Sequence, residues 1–194
     1  NFRLKAVAEL LDGNHNFYIP SYQRGYRWDK KQVEDLLKDI WDFASKAKKG
    51  DFYCLQPIVV KSKVWKTKDN IEVNGWEVID GQQRLTSLLL LLNYLRKTSE
   101  DAKDSKAIFY NIYYQTRPEL DFDNPNPNVD IDSFHASTAK KTIEQWFSFN
   151  TVKKSKIVEV LFDDYSEDIK SKTRNDWEPQ VKIIWYVTEN QKDI

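Results

Sequence analysis

Four polar side chains crowd one short stretch of this chain: Asp80, Gln82, Gln83 and Arg84, with Gly81 after the first. A carboxylate, two amides and a permanent cation are more equipment than capping a helix requires. The residues on either side are apolar, Val78-Ile79 before and Leu85, Leu88 and Leu89 after. That pattern predicts a strand that turns directly into a helix. Such a turn points unpaired backbone N–H groups and the positive end of the helix dipole into the crevice above a sheet, a setting that suits phosphate. Gly81 would let the backbone approach a ligand closely. The plainer alternative is an ordinary turn with Asp80 as N-cap and the other side chains in solvent.

A second polar cluster lies upstream, where Tyr22, Tyr26 and Trp28 interleave with Gln23, Arg24 and Arg27. Aromatic rings can stack on a base and guanidinium groups can clamp a phosphate, and loops are where binding residues tend to sit. An aromatic plug with its arginines in solvent is the bland counterpart.

The elements that must position these clusters follow from hydrophobic spacing. Leu4, Val7, Ala8 and Leu11 recur at helical intervals before Gly13, which predicts a short helix over 3–12, followed by a strand at 17–19 that stops at Pro20. Asp29 and Gln32 have capping-box spacing, and Val33, Leu36, Leu37, Ile40, Trp41 and Ala44 form the apolar stripe of the helix they open. A strand is expected at 52–60, then an exposed, lysine-rich edge strand at 61–68. Asn74-Gly75 reads as the turn of a hairpin leading back to the Asp80 stretch. The leucine-rich run from Leu85 to Leu95 predicts a central helix buried almost all round. Beyond it come a charged loop at 99–106, a strand at 108–114, a proline- and aspartate-rich loop at 121–132, a helix opened by Ser133, a further helix at 151–164 and a last strand at 182–187. His135, with only His15 besides it, reads as a surface or capping residue.

Composition narrows the function classes. The 30 basic and 30 acidic residues cancel, so bulk charge does not do the binding, although a local patch could still meet nucleic acid. The single cysteine, Cys54, excludes a disulfide framework and a thiolate zinc site and fits a reducing, cytoplasmic setting. The longest apolar run, Leu88 to Leu92, is too short to span a bilayer, so no membrane role is expected. With 7 Trp, 10 Tyr and 10 Phe, aromatic rings must build much of the core. The absence of an initiator Met and the abrupt end after an apolar segment suggest a piece of a longer protein.

Taken together, Ile19-Pro20-Ser21-Tyr22-Gln23-Arg24-Gly25-Tyr26-Arg27-Trp28, then Tyr53-Cys54-Leu55-Gln56-Pro57-Ile58-Val59-Val60, then Asp80-Gly81-Gln82-Gln83-Arg84-Leu85-Thr86 resemble the N-terminal domain of the GmrSD family of type IV, modification-dependent restriction enzymes. The match runs in order over about 3–98, with weaker echoes at 132–135 and 184–186. The resemblance implies an α+β fold: a ParB/sulfiredoxin-like core with a small mixed sheet flanked by helices over 1–115. Residues 116–194 would then be a helical and strand extension of the same domain, truncated at its C-terminus. It implies NTP, with Mg, as ligand. Asp80, Gln82, Gln83 and Arg84 would be catalytic, and Tyr22, Gln23, Arg24, Gly81 and Thr86 would bind nucleotide. Asp80 would orient a metal ion or the attacking water, and Tyr26, Arg27 and Trp28 would contact base or DNA.

The function so implied is an NTP-hydrolysing regulatory domain of a phage-defence restriction system. It would gate DNA cleavage by a nuclease domain or subunit that this chain does not supply, and DNA would be a partner of the full-length protein. Two alternatives stay open: a non-catalytic DNA-binding or modified-DNA-sensing module, and a ParB-like assembly domain in which nucleotide controls homo-oligomer formation. One departure stands out, since the family commonly has glycine where this chain has Gln56.

Overall fold

The computed structural model describes residues 2–162, 173 and 176–188. Its six strands are β1 (Phe2–Ala6), β2 (Asn16–Ile19), β3 (Phe52–Lys66), β4 (Glu72–Asp80), β5 (Asn111–Tyr114) and β6 (Gln180–Val187). They form one mixed sheet in the order β1-β6-β3-β4-β2-β5, in which β2 is parallel to both of its neighbours. Five helices accompany the sheet among the described residues: α1 (Lys30–Ala44), α2 (Gln82–Thr98), α3 (Glu100–Lys103), α4 (Ile131–Phe149) and α5 (Lys154–Phe162). The architecture is the expected α+β class. No helix among the described residues is long and apolar enough to cross a membrane.

Local chemistry explains the two helices that frame the polar stretches. At the head of α1, the Asp29 carboxylate accepts from the Gln32 N–H and the Gln32 side chain accepts from the Asp29 N–H, both at 2.9 Å, so the capping box closes as its spacing predicts. Val33, Leu36, Leu37, Ile40 and Ala44 then enter the core. α2 is buried on nearly all sides, including Leu88 through Leu92 and Leu95. Fully burying a leucine is worth about 1.5–3 kcal/mol, so this helix is fixed by many independent contacts. Polar bonds pin its first turns as well: the Tyr110 hydroxyl donates to the Leu85 carbonyl at 2.6 Å, and the Thr86 and Tyr114 hydroxyls are 2.7 Å apart.

Long-range pairing overrides several local patterns. Residues 3–12 are not a helix: β1 pairs antiparallel with β6, and a short 3-10 turn, Val7–Leu10, follows. Leu4, which helical spacing would bury, is 37% exposed, whereas Lys5 is buried. The lysine-rich segment is not a separate edge strand, since β3 runs unbroken to Lys66 with β4 beside it. Asn74-Gly75 is not the hairpin turn. Both residues lie inside β4 opposite Val64 and Lys63, and the chain reverses at Thr67–Ile71 with Asn70 at φ 61°. Gly75 is needed for a different reason: a Cβ there would collide with the Asn16 carbonyl and lie 2.7 Å from the Trp65 ring. Residues 99–106 include the one-turn α3, and the strand expected at 108–114 is shortened to β5, with an isolated bridge from Ile108 to Asp12. Asp130, not Ser133, caps α4, accepting from the Ser133 N–H at 2.7 Å. Residues 163 and 164 of the helix expected at 151–164 lie outside the described residues; the rest contains α5. Residues 182–187 belong to β6, which is an interior strand between β1 and β3.

The β1–β6 edge carries a buried polar chain. Lys5 Nζ lies 2.9 Å from His15 Nε2 and 4.2 Å from the Trp185 ring centroid, and His15 Nδ1 is 2.9 Å from Asp12 Oδ1. Burial, reinforced by Arg3, pulls the Lys5 pKa down to about 8. A pKa below its unfolded value means that the unfolded chain binds the proton more tightly, so this group's contribution rises with pH from about 8 towards 10.5. The stability difference between wild type and Lys5→Met should therefore shift in favour of wild type by up to about 1.4 kcal/mol per pH unit across that window. Urea unfolding of both proteins at several pH values measures it, and parallel curves would refute the assignment.

Candidate functional site

The two polar stretches meet although 55 to 61 residues separate the partners. β4 ends at Asp80, and Gly81, at φ 100°, makes the turn and N-caps α2. An L-residue is strained at that φ, and a Cβ would run into Ile58 Cδ1. Asp80, which local pattern offers as the cap, instead leaves its carboxylate exposed, with no hydrogen bond or ion pair among the described residues. Burial lowers the pKa of Arg84, and the nearby Asp80 carboxylate offsets part of that effect.

Neutral amides join the loop to the turn. Gln23 Nε2 donates to the Val78 carbonyl at 2.5 Å and the Ile79 carbonyl at 3.3 Å. In return, Gln82 Nε2 donates to Gln23 Oε1 at 3.1 Å and the Arg24 carbonyl at 2.5 Å. Gln83 uses both ends of its amide, donating to the Gly25 carbonyl at 3.0 Å and accepting from the Arg27 N–H at 2.9 Å. The buried Tyr26 ring completes the joint, its hydroxyl 2.8 Å from Ser87 Oγ. Burial holds the Tyr26 phenol well above its ordinary pKa, so it stays a neutral hydroxyl.

This joint spends almost no charge. Arg24 is exposed, and its guanidinium has no partner among the described residues, while its backbone is fixed by Gln82. Arg84 is half-buried and donates to a neutral group, Gln56 Oε1, at 2.7 Å. The register of β3 against β6 shifts between Leu55 and Ile58, and this bulge leaves Gln56 and Pro57 exposed beside Arg84. Arg84 also lines a cleft of about 240 Å³ with Trp28, Gln32, Asp39, Tyr53 and Gln56; Arg24 does not line it. Tyr22 is 72% exposed, whereas Thr86 and Tyr26 face inward with no exposed surface. Gln82 Oε1 is buried without a hydrogen-bond partner among the described residues.

Arg27 points away from this group. Its guanidinium forms a close ion pair with Asp132, a buried carboxylate that also lies 3.7 Å from Arg117. Asp132 presses against Gly25, where a Cβ would overlap its carboxylate. Thus α4 fixes the back of the loop. Nothing local marks Asp132 or Gln56 for these roles, because their partners lie 105 and 28 residues away. Around Asp80, and elsewhere among the described residues, no group of three or more His, Cys, Asp or Glu side chains could hold a metal.

The sequence profile of the GmrSD restriction endonuclease N-terminal domain matches residues 7–193. No curated protein matches the chain.

Because Gln83 satisfies two backbone groups of the loop, Gln83→Leu should leave both without their partner and cost about 1–3 kcal/mol. Amide exchange should accelerate at Arg27, whose N–H the Gln83 carbonyl accepts, while α5 amides keep their protection relative to global stability. Unchanged exchange at Arg27 would show that the clamp does not hold the loop.

Proposed function

Since the chain belongs to the family of GmrSD restriction endonuclease N-terminal domains, we propose that it is the nucleotide-binding and NTP-hydrolysing module of a phage-defence restriction system. It gates DNA cleavage carried out by a separate nuclease domain or subunit. The observation that carries this reading is the combination of a rigid, neutral clamp with charged groups left uncommitted beside it. Among the described residues Arg24 has no side-chain partner, Arg84 hydrogen-bonds only to an amide with Asp80 near it, and Asp80 has neither hydrogen bond nor ion pair. Cations that the fold does not neutralise, here Arg24 and Arg84, favour an anionic ligand, because binding then replaces solvent rather than an existing ion pair.

Phosphoryl transfer asks a protein mainly for positioning and charge stabilisation. In this reading Arg84 and Arg24 hold phosphate oxygens, and the N–H groups after Gly81, at the start of α2, receive another. The clamp keeps the Arg24 backbone still while its side chain reaches the ligand. Gln82 acts through the loop, donating to Gln23 Oε1 and the Arg24 carbonyl. Gln83, Tyr26 and Thr86 act by holding the backbone around the site. Tyr22 and Trp28 supply exposed and half-buried aromatic surface for the base. A lone exposed carboxylate fits Mg²⁺, which is commonly held by one or two carboxylates together with substrate phosphates and water. Asp80 is the residue that would hold it, and the ion when bound neutralises phosphate charge.

The test is phosphate release from each of the four NTPs by purified protein with Mg²⁺. Arg84→Ala should lower the rate by about a hundredfold or more, the scale for removing a group that stabilises charge in a transition state. Asp80→Ala should act in the same direction. Hydrolysis that survives both substitutions would place the chemistry elsewhere.

A further inference from the structure

The face of the sheet turned away from the core carries a different constellation. Register places Lys61, Lys63 and Trp65 of β3 opposite Glu77, Gly75 and Val73 of β4, and continues through Tyr18 of β2 to Tyr113 of β5. Alternation puts these residues on the side opposite Phe17, Val78 and Ile112, which are buried in the core. Lys61, Lys63, Trp65, Tyr18 and Tyr113 all remain partly open to solvent.

The three rings form a contiguous aromatic cluster, with Trp65 tilted 48° to Tyr18 and meeting Tyr113 edge-on at 66°. Trp65 lies over Gly75, with its centroid 5.2 Å from that of Tyr18 and 5.5 Å from that of Tyr113. Cations border it: Lys63 Nζ stands 4.7 Å from the Tyr18 ring centroid, and Lys61 and Lys63 lie 2.8 and 3.6 Å from the buried Glu77 carboxylate. One carboxylate orients two ammonium groups, so a positive charge is left over beside the rings.

Aromatic rings on a sheet face with adjoining lysines match the needs of unpaired nucleotides, whose bases stack on π-faces while phosphates meet cations. A duplex keeps its base faces stacked internally and could use only the lysines. A protein partner would gain from the rings but not from the surplus charge. We propose that this face binds an unpaired nucleic-acid strand, with bases against Trp65 and Tyr113 and the backbone along Lys61 and Lys63. Lys61 lies within electrostatic reach of Tyr22 at the proposed nucleotide site, but this proposal does not depend on that reading.

Fluorescence anisotropy with labelled single-stranded DNA, single-stranded RNA and duplex DNA, across a salt series and without NTP, tests it on the full chain. Either single strand should bind more tightly than duplex. Trp65→Ala should weaken single-strand binding by about tenfold, and Trp65→Phe should retain most of it. Lys63→Gln, which leaves the 2.8 Å Lys61–Glu77 pair in place, should reduce the slope of log affinity against log salt by about 0.7. Circular dichroism establishes that each variant is folded, and Lys63→Gln keeps the test decisive if Trp65→Ala is not. Absence of binding at low salt, equal affinity for duplex, or affinity indifferent to these substitutions would overturn the proposal. So would a Trp65-dependent dimer mass in solution, which would make a second copy of the chain the occupant.

Discussion

Three glutamine side chains hold this molecule's two polar stretches together, and the rest of the proposed site depends on that contact. A loop packed against a strand end exposes carbonyl and N–H groups to a partly dry interface, where an unsatisfied group costs about 1–3 kcal/mol. Gln23, Gln82 and Gln83 meet this requirement with amides, which both donate and accept. Arginine or aspartate could have bridged the same gap, but the charge would then be consumed by the fold. Among the described residues, amide clamping leaves the Arg24 and Asp80 side chains without hydrogen bond or ion pair and Arg84 with an uncharged hydrogen-bond partner.

The clamp works only because its two sides are independently rigid. On one side, α2 is surrounded by core and anchored by Tyr110 and Tyr114, so the turn at Gly81 cannot drift without disturbing many buried leucines. On the other side, the loop is held from behind by Arg27 and Asp132, which connect it to α4. The second half of the chain therefore does more than pad the core: α4 reaches back to fix the loop, and β6 sits between β1 and β3. The β3 bulge adds a third support by presenting Gln56 to Arg84.

The same sheet thus has two unlike faces. Its inner face carries apolar residues, among them Phe17, Val60, Val78 and Ile112, that belong to the buried core. Its outer face, around Trp65, combines aromatic area with an excess of positive charge that folding does not require. Glu77 is buried in β4 on that outer face and pairs with both lysines.

What the chain's order of residues determined by itself was whatever depends on neighbours a few positions apart. The Asp29–Gln32 capping box, the stripe of α1, the leucine-rich α2 and the strand-to-helix turn at Gly81 all belong to this class, because helical periodicity and turn chemistry are local. The clustering of polar groups at 22–28 and 80–84 was equally plain. Tertiary structure decided the rest. β1 has the spacing of a helix, and only β6, arriving from the far end of the chain, makes it a strand. Asn74-Gly75 carries a turn signal that pairing with β3 overrules, and the glycine answers instead to Asn16 and Trp65. Most decisively, no local rule says that Gln82 and Gln83 would hold the loop backbone, or that a carboxylate at 132 would brace it. Those roles come from groups brought together across 55 to 105 residues, where the free energy of burial, rather than propensity, chooses the partners.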